Sequence, residues 1–450
     1  MDWLTACKRL LWACEVDRAV VWAALCRLWT LISGPLSILL VIRCLTPEEQ
    51  GYYYTAFSLL GIKIILDLGL CTVVTQLASH EWSRLSLADD GALCGDPVAR
   101  ERIGRLCCLV TSWFAVGSLV LVVGLSVGGL CFFSGRLDGV DGWRWAWILL
   151  VAGTGLQLLT VPVRALLEGC NQVARMQKMN LGELFWSKLV LFGALLAGTG
   201  IWSATFSMLM AAVWDLGWLW KHYRNFLRSL PLRSRGGLDW RREILPLQWR
   251  LGVSWLANYC LGWLFTPVVF YFCGSVAAGR WGITQNLVKL VGSLAMVIMG
   301  VKLPLYGTLV AAGKLAELEA RFRRGTILSL GLLFAGMGAT GGGIACLEYF
   351  LPRFSERFLA LEPSILLIVA EIFLASVVPC TVYLRAFKRE PLYGVMAAGA
   401  AMMAGCTMFG AYRAGIYGVA WAAVFVNAGV CISSWYVWMA FRRSWKNMES

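Results

Sequence analysis

Apolar stretches about as long as a bilayer is thick recur from one end of this chain to the other, and they limit the fold more than any motif does. Crossing roughly 30 Å of hydrocarbon as a helix takes roughly 20 mostly apolar residues. Only helices and closed barrels can make the crossing, because each backbone group left unpaired in lipid costs several kcal/mol. A window of that length selects twelve spans, at 19–43, 51–78, 107–133, 145–166, 183–200, 202–220, 251–272, 283–308, 325–346, 363–384, 392–411 and 415–440. The fifth and sixth are the weakest, since only the Gly198–Ser203 stretch separates them. With 59% hydrophobic and 15% charged residues over 450 positions, the chain has more apolar surface than one soluble core could hide. The expected fold is therefore an all-α polytopic membrane protein.

Several function classes fall away at once. The only two histidines, His80 and His222, lie between the predicted spans, so a histidine-built metal site is not expected. Sixteen cysteines resemble a disulfide set until they are placed. Cys26, Cys71, Cys131, Cys260, Cys380, Cys406 and Cys431 sit inside apolar runs, no CxxC pair occurs, and the neighbours Cys107 and Cys108 cannot easily bridge. They read as small buried hydrophobes. Asp2, Glu15 and Asp17 interrupt the N-terminal stretch, which does not read as a cleavable signal peptide. A net charge of +14 would suggest nucleic acid in a soluble protein. In a membrane chain it sets topology, and no nucleic-acid partner is expected.

Twelve spans put both termini on one side. Of the 40 Lys and Arg, 29 fall in segments on that side, six in the opposite loops and five within spans. By the positive-inside rule both ends of this multi-pass chain face the cytoplasm. No opposite-side loop exceeds about 16 residues, which leaves no room for a folded catalytic domain outside the membrane. There is no GxxxxGK[ST] sequence either, so ATP is not used directly.

The most basic stretch, 221–250, divides the spans six and six and reads as a cytoplasmic linker ending in an interfacial helix, with Trp240, Ile244, Leu245 and Trp249 against Arg241, Arg242 and Arg250. That gives an N-terminal lobe over 1–220 and a C-terminal lobe over 251–450. The lobes echo one another. LTPEEQGYYYTAFSLL leads into the second span and GSVAAGRWGITQNLVKLV into the eighth; each offers glycine, an aromatic residue and then a lysine, Lys63 or Lys289. Gly51 and Gly279 are 228 positions apart, close to half the chain. Internal repeats of this kind are a signature of transporters that bind substrate between two lobes.

Ionisable groups at bilayer depth are costly unless paired or hydrated. Arg27 lies a third of the way into the first span, ahead of Gly34-Pro35, where a missing backbone donor is expected to break or bend the helix and act as a hinge. Lys63 and Asp67 share a face at i, i+4; they form either a neutralised pair locking helices or part of a substrate site. Lys289 sits with Gln285 and Asn286 in the eighth span, and Asn258 adds a polar group to the seventh. Lys302, Asp215 and Glu371 lie near span ends and read as snorkelling side chains. Cations outnumber anions, so a cavity lined by Arg27, Lys63 and Lys289 would draw a polyanion such as a pyrophosphate. Tyr52, Tyr53, Tyr54, Trp255 and Trp263 could stack on sugar rings or line a helix seam, the latter being the simpler reading.

CLTPEEQGYYYTAFSLLGIKIILDLGL with TQLASHEW, and LPLQWRLGVSWLANYCLGWLFTPVVFYFCGSVAAGRWGITQNLVKL with KLPLYGTLVAAG, resemble the corresponding regions of Wzx-type O-antigen and polysaccharide flippases. These belong to the multidrug/oligosaccharidyl-lipid/polysaccharide exporter superfamily. The motifs cover about a third of the chain, and the twelve-span layout extends the likeness over the rest. The resemblance implies a V-shaped fold of two six-helix lobes related by a pseudo-two-fold repeat. It implies an alternating-access flippase, not an enzyme, for an undecaprenyl-pyrophosphate-linked oligosaccharide that works beside a polysaccharide polymerase and assembly proteins. Arg27, Lys63, Lys289, Asn258, Gln285 and Asn286 would line its central cavity, and Asp67 would serve ion coupling or charge balance. No cofactor or metal is implied beyond H⁺ or Na⁺ coupling. The chain departs from lipid II flippases, which carry two further spans forming a groove for the lipid tail. Two other readings stay open: a cation-coupled exporter of small amphiphiles, in which Asp67 would dominate, and a membrane glycan polymerase or ligase, against which the short loops argue.

Overall fold

A computed structural model of the protein describes residues 18–88, 91–135, 140–231, 245–387 and 391–449. The described residues are helical almost throughout. By length and apolarity alone nine helices could cross a membrane, or ten if the broken pair Pro47–Asp67 and Leu70–Trp82 is one span. The last of the nine, Tyr393–Ser444, contains two of the expected spans, because its helix is interrupted by Ala414 and Gly415, the latter at φ 57°. The helix Trp202–Ser229 supplies the sixth. All twelve expected spans thus have a helical counterpart among the described residues.

The helices are α1 (Arg18–Cys44), α2 (Pro47–Leu60), α3 (Leu70–Trp82), α4 (Pro97–Phe133), α5 (Trp143–Leu158), α6 (Val161–Gly169), α7 (Val173–Leu196), α8 (Trp202–Ser229), α9 (Leu245–Gly262), α10 (Phe265–Cys273), α11 (Ser275–Ala311), α12 (Leu315–Phe350), α13 (Leu361–Ala375), α14 (Val378–Ala386) and α15 (Tyr393–Glu449). Helix α2 starts where the sequence LTPEE provides a capping box. The Thr46 hydroxyl accepts from the Glu49 amide at 3.2 Å, the Glu49 carboxylate accepts from the Thr46 amide at 2.9 Å, and Pro47 takes the first turn. The second span then passes through a 3₁₀ turn at Gly61–Lys63 and breaks at Leu68 and Gly69, both at positive φ.

Three spans break mid-course at a proline: α5 into α6 at Pro162, α9 into α10 before Pro267, and α13 into α14 at Pro379. A proline has no N–H for the carbonyl four residues earlier, and its ring crowds that turn. In hydrocarbon a carbonyl stranded in this way needs another donor. The Trp263 carbonyl, four residues before Pro267, accepts from Ser58 Oγ, and at the α13–α14 break Trp435 Nε1 donates to the Ser376 carbonyl at 3.1 Å. Pro35 behaves differently, for α1 runs unbroken from Arg18 to Cys44 through it. The break expected at Gly34-Pro35 is absent, and Ser37 Oγ donates to the Ser33 carbonyl at 2.6 Å within the same helix.

The chain forms two compact units, Met1–Leu45 with Ile65–Leu251, and Thr46–Ile64 with Gly252–Ser450. The sequence places 46–64 in an N-terminal lobe ending at 220; in the structure this segment, including α2, packs within the second unit. The reason is a close crossing of α2 with α11. A Cβ on Gly279 would stand 2.9 Å from the Gly51 nitrogen, one on Gly51 would overlap the Ser275 backbone, and one on Gly282 would overlap Tyr54. Lipid gives apolar helix faces no hydrophobic incentive to meet, so small residues that let backbones approach are what hold such a crossing. Tyr52, Tyr53 and Tyr54 are all buried and line this helix seam.

The first unit is centred on a cluster including Phe114, Leu166, Met176, Met179, Tyr223 and Phe226. A short antiparallel hairpin, β1 (Leu85–Leu87) with β2 (Leu93–Gly95), unexpected from the sequence, joins α3 to α4. The Leu93 amide donates to Ser229 Oγ at 2.9 Å and Arg100 to the Ser229 carbonyl at 3.2 Å, which ties this loop to the end of α8. Since α8 continues to Ser229 and α9 begins at Leu245, much of the basic 221–250 segment is helical. Residues 232–244, with most of the expected interfacial helix, lie outside the described residues.

Candidate functional site

Within the second unit, the break between α9 and α10 opens a cavity of about 480 Å³, in the range of small-ligand pockets. Its walls come from the end of α9, from α11, from the broken pair α13–α14 and from the start of α15. The break exposes the Gly262 carbonyl, which accepts from Gln285 Nε2 at 3.1 Å and also from Lys289 Nζ. The Lys289 ammonium rests 4.7 Å from the centroid of the Trp263 ring, whose π face attracts a cation. A lysine in a span is thereby held by a carbonyl dipole and an aromatic face, with donors to spare.

Glu371 of α13 faces the same cavity. It is coupled to Lys289 through space, yet its carboxylate makes no hydrogen bond or direct ion pair with any described residue. Asn258, Ser293, Thr381, Arg385 and Tyr393 supply the other polar groups of the lining, and the rest is mostly apolar. The site is an anion-attracting lysine balanced by a carboxylate that has not closed onto it. A ligand phosphate could take the ammonium without first dismantling a salt bridge.

The sequence-derived site residues separate on inspection. Lys289 and Asn258 line the cavity, and Gln285 supports it from behind by fixing the Gly262 carbonyl and accepting from Thr266 Oγ1 at 3.4 Å. Asn286 donates to the Gly282 carbonyl of its own helix at 2.8 Å and is not part of the lining. Lys63 closes the 3₁₀ turn and belongs to the second unit. Asp67, in the first unit, accepts from the Cys71 amide at 3.0 Å and so caps the start of α3. Arg27 is exposed on α1 in the first unit and has no hydrogen bond or ion pair among the described residues.

Glu371 and Asp215 correct the snorkelling expectation. Glu371 is turned into the cavity, and Asp215 is fully buried in the first unit. There Arg164 Nη1 bridges Asp215 Oδ2 at 3.0 Å and Glu183 Oε2 at 3.1 Å, while Gln157 Nε2 donates to Glu183 Oε1 at 2.8 Å. One guanidinium serves two carboxyl groups there, and Asp215 Oδ1 is buried with no hydrogen-bond partner among the described residues. Arg164 and Glu183 went unnoticed in the sequence as a pair because they sit on different helices, Arg164 on α6 and Glu183 on α7. The available signal was the proline two residues before Arg164, which opens a helix where a polar cluster can gather.

No protein-family model matches the sequence, and no curated protein matches it. Solved structures do match its shape. An inward-facing multidrug resistance MATE family transporter of the MOP superfamily aligns over 96% of this chain and 100% of its own, at 13% identity and a TM-score of 0.61. An outward-facing MATE family transporter aligns over 95% of both chains at 14% identity and a TM-score of 0.57. The lipid II flippase MurJ, in an inward closed conformation, aligns over 91% of this chain and 87% of its own at 13% identity and a TM-score of 0.58. This chain has the MOP-superfamily transporter fold. The agreement spans both units, and the expected all-α, two-lobed exporter architecture is the observed one. For a chain with the MOP fold, proline breaks in spans are where irregular backbone is affordable, because a cavity or a buried side chain receives the freed carbonyls.

Proposed function

We propose that this chain is a flippase that moves a polyprenyl-pyrophosphate-linked glycan across a bacterial inner membrane by alternating access, with both termini cytoplasmic. The observation that carries this reading is Lys289, held on the Trp263 face and the Gly262 carbonyl at the edge of an otherwise mostly apolar cavity. Such a cation suits a phosphate oxygen better than an uncharged or cationic drug. The fold supports it, since a lipid II flippase is among the structural neighbours, as does the excess of cations over carboxylates in the spans. Arg27, exposed on α1 and without a hydrogen bond or ion pair among the described residues, is in this reading the first unit's own candidate for a phosphate contact. The short loops between helices fit a transporter better than a glycan polymerase or ligase.

The Arg164–Glu183–Asp215 cluster takes the ion-coupling role that the sequence offered to Asp67. Its surplus carboxylate is a place for H⁺ or Na⁺ to bind. The same cluster is the one observation favouring a cation-coupled exporter of small amphiphiles, since exporters of either cargo can use it.

The test is genetic and chemical together. Cells lacking the protein should lose surface polysaccharide and accumulate the lipid-linked unit on the cytoplasmic side. Lys289→Ala and Arg27→Ala, each at normal protein level, should reproduce the loss at least in part. Normal polymer in the deletion strain, with raised sensitivity to organic cations, would replace the flippase by the exporter reading. Glycosidic bond formation by purified protein would point to the polymerase.

A further inference from the structure

The first unit carries an open groove of about 420 Å³ between α1, α7 and α8, separate from the polar cluster. Its walls are apolar and rich in aromatic rings, formed chiefly by Trp22, Leu28 and Trp29 of α1, Phe185 of α7, and Trp214 and Trp218 of α8. From Trp22 to Ile32 the α1 wall runs about 15 Å along the helix axis. The indoles offer it carbon, not N–H, along most of this length. Trp29 Nε1 donates to the Leu184 carbonyl and Trp214 Nε1 to the Met179 carbonyl, each at 3.1 Å. Gly182 lets the Trp214 ring lie against α7, where any Cβ would overlap it. One cation lines the groove and no acid does. Lys178, near the start of α7, holds its ammonium 5.6 Å from the Trp22 ring and 5.8 Å from the Trp218 ring.

A lone cation at one end of an aromatic trough is complementary to a single-chain lipid with an anionic head. An ordinary soluble ligand would leave most of this wall unsatisfied. We infer that this groove holds the isoprenoid chain of a polyprenyl phosphate, with Lys178 at its phosphate end. The inference rests on the flippase reading and deepens it. Lys178 lies at the end of α7 that the distribution of Lys and Arg assigns to the cytoplasm, where a newly made lipid-linked unit would arrive.

The experiment uses the purified chain in lipid nanodiscs and farnesyl phosphate, whose three isoprenes match the length of the α1 wall, carrying a diazirine on its terminal isoprene. Photolabelling should concentrate on Leu28, Ile32 and Phe185. Unlabelled polyprenyl phosphate should compete about tenfold better than polyprenol, the difference expected for one charge-assisted contact, and phosphatidylglycerol should compete poorly. Ile32→Trp, which fills the trough, should cut labelling at least about fivefold. Lys178→Gln should weaken the phosphate competitor about tenfold and leave polyprenol unchanged. Leu196→Trp, at an exposed position of the same helix, is the folding control and should label like the native chain. Labels scattered over the lipid-facing helices, or equal competition by phosphatidylglycerol, would overturn the groove. The two readings fail separately. Focused labelling with unchanged polysaccharide in the deletion strain keeps the groove and removes the flippase, whereas lost polysaccharide with scattered labels does the reverse.

Discussion

Gly51 and Gly279, the leading glycines of the two repeated motifs and 228 positions apart, meet backbone to backbone where α2 crosses α11. The spacing that marked them as a repeat also marks the contact itself. Gly279 is required by the main chain at Gly51, and Gly51 by the main chain at Ser275, neither of them by a turn. Gly51→Val or Gly279→Val should therefore overpack the crossing and cost about 1–3 kcal/mol or more, read as a lowered Tm in detergent. Gly193→Ala, in a helical position with open space around it, should hold or slightly raise Tm because alanine is the better helix former.

Removing Arg164 should hurt more than removing either of its partners. Arg164→Met strands two carboxylates in the first unit, and breaking a buried pair from one side costs about 3–5 kcal/mol. Glu183→Gln keeps the Gln157 neighbourhood polar and leaves the Arg164–Asp215 pair intact, so its cost should be smaller. Thermal unfolding of the three proteins side by side gives the order, and equal losses would mean that the cluster is not a unit.

Lys289 and Glu371 should act in opposite directions on an anionic ligand. Lys289→Gln removes a charge-assisted donor and should weaken geranyl pyrophosphate binding about tenfold. Glu371→Gln removes the competing carboxylate and should tighten binding severalfold. Titration calorimetry on the purified variants checks both, and a loss in both would make Glu371 a ligand and not a counter-charge.

Pro267 separates chain breakage from chemistry. Pro267→Ala restores an N–H able to reach the Trp263 carbonyl, which Ser58 now satisfies. The α9–α10 break should relax toward continuous helix, with the fold retained and surface polysaccharide reduced. Unchanged polysaccharide would show that the break shapes no part of the transport path.

On α12 and α15, the Glu319–Arg442 pair is a milder case. Arg442 Nε donates to Glu319 Oε1 at 2.6 Å, Tyr383 adds its hydroxyl to the same oxygen at 3.4 Å, and Arg442 lies 5.4 Å from the Trp438 ring. The pair is partly exposed, so Glu319→Gln should cost about 1 kcal/mol or less, measured as a small Tm shift without loss of transport.

Much of this architecture was legible without coordinates, because a bilayer imposes a one-dimensional rule. Twelve apolar runs of bilayer length each have a helical counterpart, and TPEE announces the cap that starts α2. Lys289, Asn258 and Gln285 could be picked out because polarity at bilayer depth is rare and therefore conspicuous. What a given charge meets is not a one-dimensional property. Asp215 and Glu371 looked like span-end residues reaching for water, yet Asp215 joins Arg164 and Glu183 from two other helices and Glu371 faces Lys289. Asp67, chosen for its spacing from Lys63, is occupied with the Cys71 amide. Pro35 lies in a continuous helix while Pro267 accompanies a broken one, whose freed Trp263 carbonyl is met by Ser58. Chain order alone decided that this protein lives in a membrane and how often it crosses. Partnership among the few polar groups it carries there was decided only when helices distant in sequence closed to within hydrogen-bonding distance, since in a medium without water each such group must find its partner in three dimensions.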